Sequence, residues 1–247
     1  MNFTWSGKTA LVTGGSSELA LTLAPMMMQA DILPVLTYRN EKGLAKIQST
    51  LSIEQKRYET LHLDFSNPET LPNISMLSDK TPDYLVDFAQ GDFVSLIASA
   101  DSEKTAAFIS ESITFRAEML KIVSRMMMTQ KKGRLLFVSS TAAKSPNRGQ
   151  GYYSAVKLAG EALYKNIGIE LGRKGITSVS LRPGYIETGR AKQYIRDNEQ
   201  EIINKIPLNR VLSSLEVAES IMFFLSDSAM GFNATEIVMD GGLTSGK

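Results

Sequence analysis

Thr9-Ala10-Leu11-Val12-Thr13-Gly14-Gly15-Ser16-Ser17-Glu18-Leu19-Ala20 is the stretch on which the fold turns. An apolar run of strand type, Thr9 to Val12, meets two glycines and then a segment of helical period, Leu19 to Ala30. Gly14 permits the tight turn that such a junction needs. Strand–turn–helix is also the setting in which backbone N–H groups and a helix N-terminus hold the diphosphate of a dinucleotide. Gly14, Ser16, Ser17 and the backbone of Glu18 and Leu19 are therefore candidate cofactor contacts. Ala20 is small enough to keep the helix close to the strand. Glu18 departs from the pattern, because it brings a side chain and a negative charge to the point where a diphosphate approaches. Two readings stay open: the Glu18 side chain turns to solvent and caps the helix while its backbone serves the phosphate, or cofactor affinity is reduced or lost.

Working outward, strand-like and helix-like patterns alternate along the chain. Thr9–Val12, Leu33–Tyr38, Thr60–Leu63, Tyr84–Phe88, Arg134–Val138, Thr177–Leu181 and Glu236–Met239 are seven candidate strands. Leu19–Ala30, Ser102–Lys131, Tyr153–Arg173 and Leu215–Leu225 carry helical period, and Gly172 and Gly175 offer a cap to the third. Regular βαβ alternation predicts a single domain over 1–247: a Rossmann-type α/β fold, doubly wound, with a seven-stranded parallel sheet and helices on both faces. The polar, helix-prone stretch 190–208 leaves the edge where ligands bind in such sheets. It reads as a substrate lid or as a plain surface helix. Met26-Met27-Met28 and Met126-Met127-Met128 lie in helical stretches and read as core or subunit packing.

Composition removes several function classes. The 27 Lys+Arg against 26 Asp+Glu leave no electrostatic footprint for nucleic acid or an anionic membrane. With no Cys and only His62, thiol chemistry and a metal cluster are not expected, and His62 itself reads as an ordinary strand residue. Met1 to Lys8 lacks the pattern of a signal peptide, and Leu19–Ala30 is too short to span a bilayer and contains Pro25. A soluble, cytoplasmic protein is the expectation.

The second strand ends Leu36-Thr37-Tyr38-Arg39-Asn40, so Thr37, Tyr38 and Arg39 stand where the adenosine ribose is read. An acidic residue there would accept from the ribose 2′-OH; a neutral Thr37 followed by Arg39 suits a 2′-phosphate, with Ser16 and Ser17 as further donors. NADPH is the cofactor this predicts.

Gln150-Gly151-Tyr152-Tyr153-Ser154-Ala155-Val156-Lys157 opens a helix, placing Tyr153 and Lys157 on one face. Reducing a carbonyl needs a hydride on carbon and a proton on oxygen. A phenol, with an ordinary pKa of about 10, is a poor acid near neutrality. A neighbouring ammonium stabilises the phenolate and moves it toward the working pH. Tyr152 has Val156 at the same spacing and does not qualify. Arg134-Leu135-Leu136-Phe137-Val138-Ser139-Ser140 delivers hydroxyls at a strand's carboxyl end, where a serine can polarise a substrate oxygen.

With these residues in view the chain resembles the short-chain dehydrogenase/reductase family from about Gly7 to Gly242. The resemblance implies Ser140, Tyr153 and Lys157 as the catalytic set, the serine lying 13 positions before the tyrosine. Arg182-Pro183-Gly184-Tyr185-Ile186-Glu187-Thr188 is similar to the family's segment after the sixth strand. There Pro183 and Gly184 shape the turn, while the Ile186 backbone and the Thr188 hydroxyl hold the nicotinamide carboxamide. Asp64-Phe65 resembles the pair that contacts adenine. Ile206-Pro207-Leu208-Asn209-Arg210, Glu216-Val217-Ala218 and Met239-Asp240-Gly241-Gly242 are similar to 3-oxoacyl-(acyl-carrier-protein) reductases and polyketide ketoreductases. That likeness implies a small-molecule or carrier-protein-bound 3-oxoacyl substrate and a homo-oligomer, tetramer or dimer. The family's Asn-Asn-Ala-Gly is replaced by Asp87-Phe88-Ala89-Gln90, leaving Ala89 and Gln90 as candidate cofactor contacts. Its long-helix asparagine, used to hold a relay water, falls on Ser112. Two alternatives stay open: an oxidoreductase acting on another small alcohol or ketone, and, raised by these departures, a cofactor-impaired partner subunit of an active reductase.

Overall fold

The structure, a computed structural model, describes residues 3–51, 57–189 and 191–245. Seven strands make one sheet in the order β3-β2-β1-β4-β5-β6-β7, every neighbouring pair parallel. They are β1 (Thr9–Thr13), β2 (Leu33–Tyr38), β3 (Glu59–His62), β4 (Tyr84–Asp87), β5 (Gly133–Val138), β6 (Ile176–Pro183) and β7 (Thr235–Met239). The helices are α1 (Glu18–Gln29), α2 (Glu41–Thr50), α3 (Ser102–Ile109), α4 (Arg116–Gln130), α5 (Gly151–Leu171), α6 (Ala191–Asp197), α7 (Glu199–Ile203) and α8 (Ser214–Leu225).

Alternation along the strands builds two cores. Ala10 and Val12 of β1, with Leu136 and Val138 of β5, join one apolar cluster with α1, α8 and Ile47 of α2. Leu11, Leu135 and Phe137 point the other way, to α4, α5 and the 3₁₀ segment Pro68–Lys80. Strands buried on both faces are what a parallel sheet requires, and this explains their unbroken apolar runs. Truncating a fully buried residue such as Leu11 or Leu85 to alanine should cost about 2–5 kcal/mol. The methionine triplets divide by helical position: Met27, Met28 and Met127 are buried, while Met128 is exposed.

Three local expectations change. Gly172 is helical (φ −54°) and begins a further 3₁₀ turn; Gly175, at φ +78°, ends the segment alone. The helical stretch expected over 102–131 is interrupted at Ser110–Phe115 by a π-turn between α3 and α4. Of the stretch 190–208, Arg190 lies outside the described residues, and the chain beyond it forms two short helices, α6 and α7. Their Ile195 and Ile202 pack with Ile206 in a small apolar cluster of their own.

Strand order reverses between β1 and β4, which leave in opposite directions from the sheet's middle. In an open parallel sheet the crevice beyond the carboxyl ends at this point is where ligands bind. Gly14 comes directly after β1 and Phe88 directly after β4, so the β1–α1 turn and the segment 87–90 frame that crevice.

Candidate active site

The β1–α1 turn is built by two close backbone approaches. Gly14 takes φ +64°, and a Cβ on it would come within 3.1 Å of the Ala89 backbone nitrogen. A Cβ on Gly15 would lie 2.9 Å from the Leu36 Cα, and its own N–H donates to Thr37 O at 2.9 Å. Thr37 is buried, and its hydroxyl accepts from the Gly14 N–H at 3.1 Å, so this side chain fixes the turn. Ser17 is the helix N-cap, accepting from Ala20 N at 3.3 Å. Glu18 is the first helical residue and is exposed, but it is not the cap. Its Oε2 accepts from the Thr188 hydroxyl at 2.6 Å and from the Gly189 N–H at 2.9 Å. These two hydrogen bonds, with the positive field of Lys192 and Lys46, hold its carboxyl below the usual glutamate range.

A cleft of about 530 Å³ opens at the switch point. Gly14, Ser16, Ser17, Thr37, Arg39, Asp64, Phe65, Ala89, Gln90 and Ser112 of the expected set line it. Glu18, Leu19, Tyr38, Ser140, Tyr153, Lys157, Pro183, Gly184, Ile186 and Thr188 do not; the Tyr38 ring packs against the α1–α8 core and lies 5.3 Å from the His62 ring. His62 in turn has Nε2 3.1 Å from Arg39 O. Lys42 and Lys46 on α2 also line the cleft and were not singled out from the sequence, although Arg39, Lys42 and Lys46 are spaced to share one end and face of α2. Glu111 lines the same cleft and faces Arg39 and Asp64; burial pushes its carboxyl up.

Asp87, where the resemblance places the first of the family's two asparagines, forms a buried ion pair with Arg116. The Asp87 carboxylate accepts from Arg116 Nε at 2.7 Å, Tyr164 Oη at 2.9 Å, Thr13 Oγ1 at 2.5 Å and Ala89 N at 3.1 Å. Arg116 also donates to the carbonyls of Ser112 and Ala89. Burial next to Asp87 raises the Tyr164 phenol well above its ordinary value. Ser112 is buried in the π-turn, and its hydroxyl accepts from Gln90 Nε2 at 3.0 Å. Its backbone carbonyl thus accepts from Arg116 while its hydroxyl oxygen accepts from Gln90.

Tyr153 lies in the first turn of α5 and is half-buried, with Lys157 one turn on. Lys157 is 3% exposed; its Nζ donates to Val138 O at 2.8 Å and sits 5.7 Å from the Tyr153 ring centroid. Strand β5 therefore pins the ammonium beside the phenol. The two serines after β5 are sorted by their partners. The Ser139 hydroxyl is buried and donates to Glu161 Oε1 at 2.5 Å, and Glu161 takes two further bonds from Arg182 at 2.6 and 2.5 Å. Ser140 is half-buried and caps a 3₁₀ turn, accepting from Ala142 N at 3.1 Å. That turn is tied to α5 by Ser154 Oγ donating to Ala143 O at 3.0 Å, which fixes Ser140 relative to Tyr153.

The segment after β6 closes the other wall. A Cβ on Gly184 would meet the Asp240 Cα at 3.0 Å, so glycine lets β6 pass the C-terminal segment. Ile186 bridges to Leu212, and Asn147 Nδ2 donates to the Tyr185 hydroxyl at 3.2 Å across the mouth. Thr188, expected to reach a carboxamide, gives its hydroxyl to Glu18 in this structure. Among the described residues no group of His, Cys, Asp and Glu could hold a metal ion, and no helix is long and apolar enough to cross a membrane.

The chain belongs to the short-chain dehydrogenase/reductase family of oxidoreductases: the family model described as enoyl-(acyl carrier protein) reductase matches residues 15–244. It is similar to the 3-oxoacyl-(acyl-carrier-protein) reductase FabG of Vibrio harveyi, 26% identical over 240 residues covering 96% of this chain and 97% of that protein. The enzyme of that name from Escherichia coli strain K12 is 26% identical over 246 residues, covering 98% and 99%. Among solved structures, gox2181 superposes with a TM-score of 0.90 at 22% identity, over 98% of this chain and 97% of that one. An ElxO variant with NADPH bound gives 0.88 at 22% identity, over 97% and 99%.

Proposed function

We propose that this protein reduces a ketone with NADPH, and that the ketone is a 3-oxoacyl group carried as a thioester or on an acyl carrier protein. The observation that carries the reading is the Lys157 ammonium, pinned to β5 and facing the Tyr153 ring, with Ser140 on the adjoining turn.

The residues present fit a phosphorylated dinucleotide. The cleft lies at the topological switch point, its turn has no side chain at Gly14, and Arg39, Lys42 and Lys46 line it where a 2′-phosphate needs charge. Asp64 and Phe65 would meet the adenine, with Ala89 and Gln90 beyond them, and Pro183 to Ile186 would border the nicotinamide. When bound, NADPH supplies the hydride to the carbonyl carbon. The chain's own work is at the oxygen. Ser140 Oγ donates to the carbonyl oxygen and polarises it, Tyr153 Oη delivers the proton, and the Lys157 charge stabilises the phenolate left behind. The stretch 191–208 then lies over the substrate.

Support for a 3-oxoacyl substrate comes from the two FabG relatives, which align over nearly their whole lengths. The family description names enoyl reduction instead, so a substrate panel has to include both groups. NADPH consumption with 3-oxoacyl thioesters, and none with 2-enoyl thioesters, is the expected result. A protein that oxidises NADPH with no 3-oxoacyl thioester contradicts the substrate assignment. Glu18 favours a second reading, a partner subunit that does not use cofactor, in which NADPH would leave the melting temperature unchanged. Association into a homo-oligomer fits the exposed apolar side chains of Val238 on the edge strand β7 and Leu215 on α8, and light scattering would measure its size.

A further inference from the structure

Glu18 joins two walls of the crevice that are far apart in sequence. It starts α1, directly after the turn that ends β1, and its carboxylate is held by Thr188 and Gly189, beyond β6. Gly189 is in the left-handed region at φ +57°, yet a Cβ there would meet nothing within 4 Å. Glycine is used at this position for its conformation, the one in which its N–H reaches Glu18 Oε2. Lys46, which lines the cleft, and Lys192 on α6 both act on the same carboxylate electrostatically. An anion is therefore already seated beside the cleft, at the first residue of α1 and drawing on a cation of the cleft.

We infer that Glu18 is a positioning residue that closes the free site: its carboxylate clasps Thr188 and Gly189 and is displaced when the cofactor's diphosphate and carboxamide enter. This rests on the dinucleotide reading above. Two like charges at one helix N-terminus repel, and Thr188, whose single hydroxyl proton goes to Glu18, has none left to donate to a carboxamide oxygen. The clasp thus competes with the cofactor. It also ties Thr188 and Gly189, beyond β6, to the β1–α1 turn until cofactor arrives.

The consequence is opposite to that of a residue kept for stability or for holding the ligand: removing it should tighten cofactor binding. Glu18→Ala should lower the NADPH dissociation constant about ten-fold, the scale of one charge-assisted hydrogen bond no longer broken on entry. Glu18→Gln keeps an acceptor without the charge and should fall between Glu18→Ala and the parent. The test pairs calorimetric NADPH titration with amide hydrogen exchange at Gly189 in the cofactor-free protein, for the parent and both variants. Faster exchange at Gly189 in Glu18→Ala together with tighter NADPH binding is the expected result. NADPH affinity unchanged or weakened in Glu18→Ala, in a protein whose parent binds NADPH, overturns the clasp's role alone. Unchanged exchange at Gly189 overturns the clasp itself. Faster exchange with no NADPH binding by any of the three proteins overturns the dinucleotide reading, and the competition with it.

Discussion

Arg116 and Asp87 form an ion pair at 2.7 Å with both side chains fully removed from water. Three elements meet there: the end of β4, the π-turn at the head of α4, and Tyr164 of α5. Phe65 and Phe137 flank the guanidinium at 5.6 and 5.1 Å from their ring centroids, so its charge has no water to fall back on. Removing one partner of such a pair strands the other. Arg116→Met should therefore destabilise the fold by about 3–5 kcal/mol, read by chemical denaturation. Asp87→Asn should cost at least as much, because it leaves the Arg116 charge buried without its counter-charge and sets an amide N–H₂ against two of the four groups that now donate to Asp87. Equal stability of Arg116→Met and the parent would show the pair to be ornamental.

Arg39, Lys42 and Lys46 bear on which dinucleotide is taken. A guanidinium on a phosphate gives a charge-assisted contact of about 1.5–3 kcal/mol, or roughly 10–100-fold in affinity. Arg39→Ala should weaken NADPH by that factor and leave NADH nearly unaffected. Parallel titrations with the two cofactors check this, and equal losses for both would show that Arg39 does not meet a 2′-phosphate.

Glu216 carries a pH-dependent part of the stability. Its carboxylate accepts from Arg210 Nη2 at 2.6 Å and from the Ser213 N–H at 2.9 Å, completing the capping box of α8. The Arg210 guanidinium chiefly, with the Ser213 amide, brings its pKa from 4.5 to about 2. A depressed carboxylate stabilises the fold fully above its unfolded value and loses that contribution as pH falls through the folded one. The difference in stability between the parent and Glu216→Gln should be constant above pH 5 and shrink between about 4.5 and 2. A difference that does not change across that window would contradict the assignment. Ser213→Ala should cost about 1 kcal/mol by loss of the cap.

Much of this architecture is legible in the residues, because apolar alternation, glycine turns and helical period are local signals. β1 and α1 are announced by Thr9 to Ala20, and Tyr153 with Lys157 by their spacing on α5. Side-chain partnerships across the sheet are not local. Ser139 and Ser140 are separated in sequence only by the spacing to Tyr153 that the family resemblance supplies, and Glu161, 22 residues on, shows the physical reason that Ser139 is committed elsewhere. Asp87 and Arg116 lie 29 residues apart, so the replacement at Asp87 reads as a loss when its partner is out of view. Glu18 is the extreme case, its carboxylate meeting Thr188 across 170 residues. Lys42 and Lys46 were within reach of the sequence, one turn apart just after Arg39.

Tyr153→Phe tests the proton-donor role most directly, through turnover measured as NADPH oxidation with a 3-oxoacyl thioester, beside NADPH binding on the same preparation. A group that hands a proton to the reacting oxygen contributes about 10²–10⁴-fold, and its loss should appear in kcat while cofactor affinity is kept. Loss of at least about 100-fold in kcat with NADPH still bound is the result predicted. Turnover by Tyr153→Phe within a few-fold of the parent would contradict the central role given to this residue.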